Sequence, residues 1–407
     1  MQTQLPDNLL ATEEGKLADR ILRSCVHCGF CTATCPTYQL LGDERDSPRG
    51  RIYLIKQMLE GQPVSRHTQV HLDRCLTCRA CETTCPSGVE YGKLIEIGRS
   101  WSEKKTPRPV TEQFKRWLLR RVIPFPGRFR FMLSVARLCK PLLPATFKRK
   151  IPARPRTTSW PDNHHPRKVL FLNSCAQSVT HPEIDAATAR ILDQFQIEVV
   201  KETNSACCGA VSQHLSATDE ARKQMKQNID AWWSQLQNGV EHIVITASGC
   251  AAHMKEYGHY FKGDPDYEKK ASQVTARMLD VSELVSTLPL EQAVQTRAGQ
   301  VIAFHAPCTL QHGQKIINTI EPMLEKCGYI LTTVKDGHLC CGSAGTYSIL
   351  QADLSAQLLS NKVANLEAGK PDLIATANIG CLMHLQTTSK EPVIHWVNLI
   401  DRAINKS

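Results

Sequence analysis

Two cysteine runs constrain this chain more than any other feature. Cys25-Val-His-Cys28-Gly-Phe-Cys31-Thr-Ala-Thr-Cys35-Pro36 and Cys75-Leu-Thr-Cys78-Arg-Ala-Cys81-Glu-Thr-Thr-Cys85-Pro86 share the spacing C-x2-C-x2-C-x3-C-P at an offset of 50 residues. Three close thiolates can cap three irons of one cubane, and the fourth, set apart by three residues and followed by proline, reaches the neighbouring cluster. The spacing assigns Cys25, Cys28, Cys31 and Cys85 to one [4Fe-4S] cluster, and Cys75, Cys78, Cys81 and Cys35 to the other. Structural zinc takes four ligands, often in C-x2-C pairs, and has no use for two such runs each closed by Cys-Pro. Disulfides are disfavoured because nothing marks the chain as secreted.

A chain of 407 residues suggests two or three domains, and a hydrophobic share of 42% is enough for a sizeable core. Residues Met1 to Leu22 carry Glu13, Glu14 and Asp19 and no apolar leader. No apolar run of about 18 residues is present, so no transmembrane helix is expected. The net charge of +10 is unevenly spread. Lys104 to Arg156 holds 16 Lys and Arg against Glu112 alone, a net of +15, which leaves the rest of the chain at −5. Trp117, Phe114, Leu118, Phe129, Met132, Leu133 and Val135 interleave with these bases. That pattern suits an anionic membrane surface or an acidic partner, with a solvated linker as the plain alternative. No nucleic-acid motif accompanies the charge, and nucleic acid is not expected as a partner.

Leu9 to Ser24 reads as a helix leading into the first cysteine run. Between the runs, Ser47 can cap a helix with Pro48 at its first position, continued by Ile52, Ile55 and Leu59. Arg49 and Arg51 at its start suit either tuning of cluster charge or a solvated helix start. These elements imply an all-α, two-cluster ferredoxin-like domain over 1–103, followed by a Pro-rich basic linker over 104–166.

Beyond Arg167 the chain repeats itself. Cys175, Cys207 and Cys208 recur 133 residues later as Cys308, Cys340 and Cys341, and Cys250 recurs 131 residues later as Cys381. Both copies carry Cys-Cys-Gly, at 207–209 and 340–342. A repeat of this size means two copies of one module, here 167–298 and 299–407. Strands over Val169–Leu172, Ile197–Val200 and His242–Thr246 alternate with helices over Pro182–Phe195 and Asp219–Gln237. The second copy offers strands over Val301–Phe304, Tyr329–Val334 and Leu373–Thr376 and a helix near Leu350–Ala368. Alternation of this kind implies an α/β module with a parallel sheet. The cysteines follow strand ends, where such folds build their sites.

Each copy thus presents four thiols: Cys175, Cys207, Cys208 and Cys250, then Cys308, Cys340, Cys341 and Cys381. A further cluster, a tetrahedral zinc or a thiol-lined docking site all fit four thiols. Cys139 and Cys327 are left over and read as ordinary buried thiols. No G-x-G-x-x-G follows a strand, so flavin and NAD are not expected on this chain.

The modules resemble the Cys-Cys-Gly domains of heterodisulfide reductase and of several membrane-linked dehydrogenases. That family's pattern ends in C-x-x-C, and its first cysteine is here Ala247 in one copy and Asn378 in the other. The whole arrangement resembles the iron–sulfur subunits of bacterial glycolate oxidase (glycolate dehydrogenase). The matching stretches are Cys25 to Gly42, Ser47 to Lys56, Cys75 to Val89, Ala231-Trp232-Trp233, Thr246 to Cys250 and Ala377 to Cys381. The resemblance implies an electron-transfer subunit with no substrate-oxidising site of its own. It implies partner subunits that carry FAD and oxidise glycolate to glyoxylate, and D-lactate as well. It also implies a peripheral place on the cytoplasmic side of the bacterial inner membrane and delivery to the quinone pool. Related subunits serve lactate and glycerol-3-phosphate dehydrogenases. Two further classes fit the cysteines: a thiol/disulfide enzyme like heterodisulfide reductase, and a redox sensor held together by its clusters.

Overall fold

Ser47 starts the helix around which the first part of the chain is built. Its hydroxyl accepts from the Gly50 N–H at 2.9 Å, and Pro48 fills the first helical position, where no N–H is needed. Pro48–Leu59 then buries Ile52, Ile55, Met58 and Leu59. They pack with Ile21 and Leu22 of Glu13–Ser24, Leu72 of Arg66–Asp73, and Leu94 and Ile95 of Tyr91–Lys105. The helix expected over Leu9–Ser24 is broken. Asp7–Leu10 ends first, and Thr12 then caps Glu13–Ser24 by accepting from Gly15 N–H at 3.0 Å.

The structure, a computed structural model, describes residues 1–142, 144, 148–149, 151–155, 158–172, 174–295 and 299–405. Lys150 and Arg156 of the basic segment and Ala298 at the module boundary lie outside the described residues. The chain divides into two compact units. One holds 1–117, 214–216 and 338–362, and the other holds 118–213, 217–337 and 363–407.

In the basic segment the prolines divide the chain into short helices. Val110–Val122 and Pro126–Leu138 run 13 residues each, the second with Pro126 at its first turn. Part of the segment's charge is matched. Arg108 is tied to Asp73 and Glu103, Arg116 to Asp73, and Arg120 to Glu220. Pro126–Leu138 buries only Leu133. Phe131, Met132, Val135 and Leu138 form an exposed stripe at helical spacing, Phe131 at 72% and Leu138 at 80% exposure.

The second unit is built on two four-stranded parallel sheets. β1 (Arg167–Phe171), β2 (Ile197–Lys201), β3 (His242–Ile245) and β4 (Met278–Asp280) lie in the order β2-β1-β3-β4. β5 (Val301–His305), β6 (Ile330–Leu331), β7 (Leu373–Thr376) and β8 (Val393–His395) repeat it as β6-β5-β7-β8. The strand expected over Tyr329–Val334 shrinks to two residues at the sheet edge. β4 and β8, three residues each, were too short to show a pattern in the sequence. One hydrophobic core runs through both sheets, from Val169, Ile191 and Val244 to Ile302, Leu373 and Ile400. Across it, Arg190 of Glu183–Gln194 forms a two-pronged pair with Asp401 of Trp396–Asn405, at 3.1 and 2.5 Å.

Replacing Ser47 by Ala removes the cap of the central helix. The expected loss is about 1 kcal/mol, read as a lowered unfolding midpoint of the full-length protein.

Candidate metal centres

The two cysteine runs fold alike. His27 and Thr77 both take φ 55°, and Gly29 and Arg79 take φ 89° and 63°, again 50 residues apart. Left-handed residues at these positions turn backbone N–H groups inward, as in an anion-binding nest. The Thr77 N–H donates to Cys75 Sγ at 3.3 Å, and the His27 N–H serves Cys25 in the same way. Holding non-glycine residues there costs about 1–2 kcal/mol each. Such strain persists where the surroundings over-determine the loop.

One pocket is walled by Cys25, Cys28, Cys31 and Cys85, and a second by Cys35, Cys75, Cys78 and Cys81. Cys81 borders the first as well. The chemistry of these walls fits iron–sulfur clusters. Four soft donors converge on each pocket, and buried thiolates are costly unless a cation answers them.

The two pockets differ electrostatically. Cys28 is exposed, and Val26 and Phe30 beside it are 66% and 62% exposed. Burial pushes the Cys25 thiol up and the Cys31 thiol up to about 11. In the second pocket Cys35, Cys75 and Cys81 are all buried. Burial pushes Cys81 well up and acts on Cys75 in the same direction, but the Arg51 and Arg99 guanidiniums outweigh it and Cys75 ends lower. Arg51 is 1% exposed; it donates to His71 O at 2.7 Å and Asp46 at 3.2 Å, and lies 4.0 Å from Cys35 Sγ. Arg99 donates to Leu72 O at 2.9 Å, Thr77 Oγ1 at 2.9 Å and Cys75 O at 2.5 Å. The Tyr91 hydroxyl donates to Cys75 Sγ at 3.6 Å. In the sequence Arg49 and Arg51 are equivalent candidates at the helix start. Arg51 is buried at the second pocket, whereas Arg49 is one-third exposed and paired with Glu44 at 2.5 Å. No motif in the sequence marks Asp46, Arg99 and Tyr91; the 50-residue offset between Arg49 and Arg99 was the available hint.

In the first module Cys175 follows β1 and Cys250 follows β3. These neighbouring strands mark the point where the strand order reverses. Sites in open parallel sheets form at that point. Cys175 and Cys207 Sγ lie 3.4 Å apart. The hydrogen bonds that Cys207 shares with Cys175 and Cys208 lower its thiol and raise theirs. Asn228 of the helix Thr218–Gln237 holds the loop, accepting from Ala206 N–H at 2.6 Å and donating to Cys207 O at 3.0 Å. Of the second quartet, Cys308 and Cys381 follow β5 and β7 in the second unit, while Cys340 and Cys341 belong to the first. Asn378 donates to Cys381 Sγ at 3.5 Å. Cys327 is buried, but Cys139, read as buried, is exposed.

A paired cysteine frame followed by two Cys-Cys-Gly sheets defines an iron–sulfur electron carrier of an oxidoreductase. Residues 21–89 match the 4Fe-4S dicluster domain family, and residues 169–255 and 302–386 match the Cysteine-rich domain family. The chain is 50% identical over 407 residues to the glycolate oxidase iron-sulfur subunit of Escherichia coli (strain K12), covering 100% of both chains. It is 30% identical to the probable glycolate oxidase iron-sulfur subunit of Bacillus subtilis (strain 168), over 90% of this chain and 88% of that one. Lactate utilization protein A of Geobacillus thermodenitrificans (strain NG80-2) is 26% identical over 54% of this chain and 90% of its own. A crystal structure of a hypothetical protein from Helicobacter pylori shares the fold, with TM-score 0.59 and 8% identity over 97% of this chain and 73% of that one. The chain belongs to the family of glycolate oxidase iron-sulfur subunits.

The glycine of each Cys-Cys-Gly carries a specific expectation. Gly209 and Gly342 take φ 90° and 88°, and each backs onto a helix. A Cβ on Gly209 would stand 3.3 Å from Ala221 O, but on Gly342 it would stand 2.8 Å from Ser355 O and 3.0 Å from Leu358 Cβ. Gly209→Ala should cost about 1–2 kcal/mol from the left-handed backbone alone. Gly342→Ala should cost more, because a carbonyl has to move. Unfolding midpoints of the two variants compared side by side check the order.

Proposed function

We propose that this chain is the electron-transfer subunit of a complex that oxidises glycolate to glyoxylate, and D-lactate as well. FAD-bearing partner subunits take two electrons from the hydroxy acid, and this chain passes them on singly toward membrane quinone. The observation that carries the reading is that each of two pockets gathers three cysteines of one run with at least one of the other, Cys81 alone bordering both. On this reading Cys25, Cys28, Cys31 and Cys85 hold one [4Fe-4S] cluster, and Cys75, Cys78, Cys81 and Cys35 hold the other. The clusters supply one-electron redox chemistry when bound. The chain's part is to hold the thiolates, shield them from water and set their charge. The domain carrying them is all-helical over 1–103, followed by a basic linker over 104–166 and modules over 167–298 and 299–407. The first module quartet, Cys175/Cys207/Cys208/Cys250, serves as a further metal site for iron–sulfur or zinc, and Cys308, Cys340, Cys341 and Cys381 repeat its four thiols in the sequence. With Ala247 and Asn378 in place of the additional cysteine, each quartet offers at most four thiolates.

Full-length protein purified anaerobically with its partner subunits should contain about eight irons in the paired-cluster sites, by the two-cubane count. Cys28→Ser with Cys78→Ser should remove that iron and abolish dye reduction by glycolate, while flavin reduction by glycolate persists. Zinc in place of iron, or unchanged dye reduction in the double variant, would sink the reading.

The exposed stripe Phe131, Met132, Val135 and Leu138, flanked by Arg128 and Arg130, supports docking of the complex on the anionic cytoplasmic face of the inner membrane. No helix among the described residues is long and apolar enough to cross a membrane. Binding to phosphatidylglycerol vesicles should be tight at low salt and fall as salt screens the contacts, each worth roughly 1 kcal/mol. Phe131→Glu with Leu138→Glu should abolish it. If the intact complex ignores such vesicles at low salt, the segment is a linker.

A further inference from the structure

The 50-residue repeat supplies an internal control for comparing the two cysteine pockets. His27 and Thr77 share one backbone conformation, as do Gly29 and Arg79, and each run gives its first thiol a backbone N–H. What separates the pockets is therefore the side chains brought to them from elsewhere. The second receives three guanidiniums, of Arg51, Arg74 and Arg99, against the single carboxylate of Asp46. Two further carboxylates are answered locally: Glu82 beside Cys81 by Arg79 at 2.9 Å, and Asp73, which Arg99 also faces, by Arg108 and Arg116. At the first pocket Arg49 is spent on Glu44, and the Met1 ammonium, which donates to Cys25 O at 2.7 Å, is partly open to solvent. The second pocket thus has an excess of two positive charges, with Arg51 and Arg99 buried.

Taken alone, the deeper burial of the second pocket would make a cluster there harder to reduce, because reduction adds a negative charge in a poor dielectric. The same poor dielectric strengthens the pull of the buried guanidiniums. Two net cations face one added electron, so attraction outweighs the penalty. Tyr91 acts in the same sense, since a hydrogen bond to a ligand sulfur favours the more negative state. The first pocket has no comparable excess, and its rim of Cys28, Val26 and Phe30 is open to solvent.

We propose that the Cys35/Cys75/Cys78/Cys81 site holds the higher-potential cluster, set there by Arg51, Arg99 and Tyr91, so that electrons enter at the Cys25/Cys28/Cys31/Cys85 site and come to rest on the second. This rests on the ligand division proposed above. With clusters bound, each transfer would oxidise the first site and reduce the second by one electron, with no bond made and no proton moved. The pair of electrons comes from the hydroxy acid through the partner flavin. Tyr347 stands beside the second site: its buried hydroxyl donates to Arg74 O at 3.1 Å, next to Cys75, and feels the charge of both Cys75 and Cys340.

The test is a redox titration of the anaerobically purified full-length protein, followed by electron paramagnetic resonance of the reduced clusters. Wild type should show two well-separated midpoints. Tyr91→Phe should lower the upper midpoint and leave the lower one in place. Arg99→Gln should lower the same midpoint enough to change the reduced-to-oxidised ratio at least tenfold at fixed potential, about 59 mV for a one-electron couple. Arg99→Lys, which keeps the charge, should restore most of it. If Tyr91→Phe moves the lower midpoint or neither, the proposal is overturned, and that variant changes one hydroxyl without removing a buried charge. Loss of both reduced-cluster signals in wild type would instead remove the ligand assignment beneath it.

Discussion

Everything in the first unit follows from the problem of placing thiolates in a protein interior. A thiolate shut away from water demands positive charge, and the chain supplies it in two forms. One is the metal for which the four-sulfur walls are shaped; the other is a set of arginines held from behind. Asp46 is central to the second. Buried and reached by Arg51 at 3.2 Å and Arg74 at 2.9 Å, it fixes the guanidiniums in place while leaving them a net positive charge. Without that carboxylate two of the cations would face each other across a dry pocket.

The second unit solves a different problem with a duplicated element. A parallel sheet brings the ends of its central strands to one edge, so thiols that follow those strands come together without any long-range design. Cys175 after β1 and Cys250 after β3 show this, and Cys308 after β5 and Cys381 after β7 repeat it. The Cys-Cys-Gly loop then needs a residue without a side chain where it turns against a helix. The loop is tied down by Asn228 in one copy and by the Ser355 hydroxyl, which donates to Gly342 O at 2.8 Å, in the other.

The sequence made the cysteine spacing, the module repeat and several of the longer helices legible, because each depends on local pattern. Ser47 and Pro48 announced their helix by capping chemistry alone. What stayed hidden depends on contacts between distant residues. Arg99 lies 24 positions from the carbonyl of Cys75 that it holds, and Tyr91 lies 16 from the sulfur it meets. Nothing local separates a buried arginine such as Arg51 from its half-exposed neighbour Arg49. The short strands β4 and β8 were missed for a different reason: three residues cannot display a period. In the basic segment the apolar residues interleaved with the bases marked two amphipathic pieces, but not where each begins and ends; Pro126 opens the second.

The open rim of the first cysteine pocket has a consequence for the life of the protein in air. A surface that lets an electron donor come close to Cys28 also lets small oxidants do so, and the exposed Val26 and Phe30 offer them no barrier. Damage by dioxygen or peroxide should therefore begin at this end and spare the arginine-backed pocket longer. An aerobically handled preparation would pass through a half-loaded form in which the surviving metal is the one whose cysteines are mostly buried.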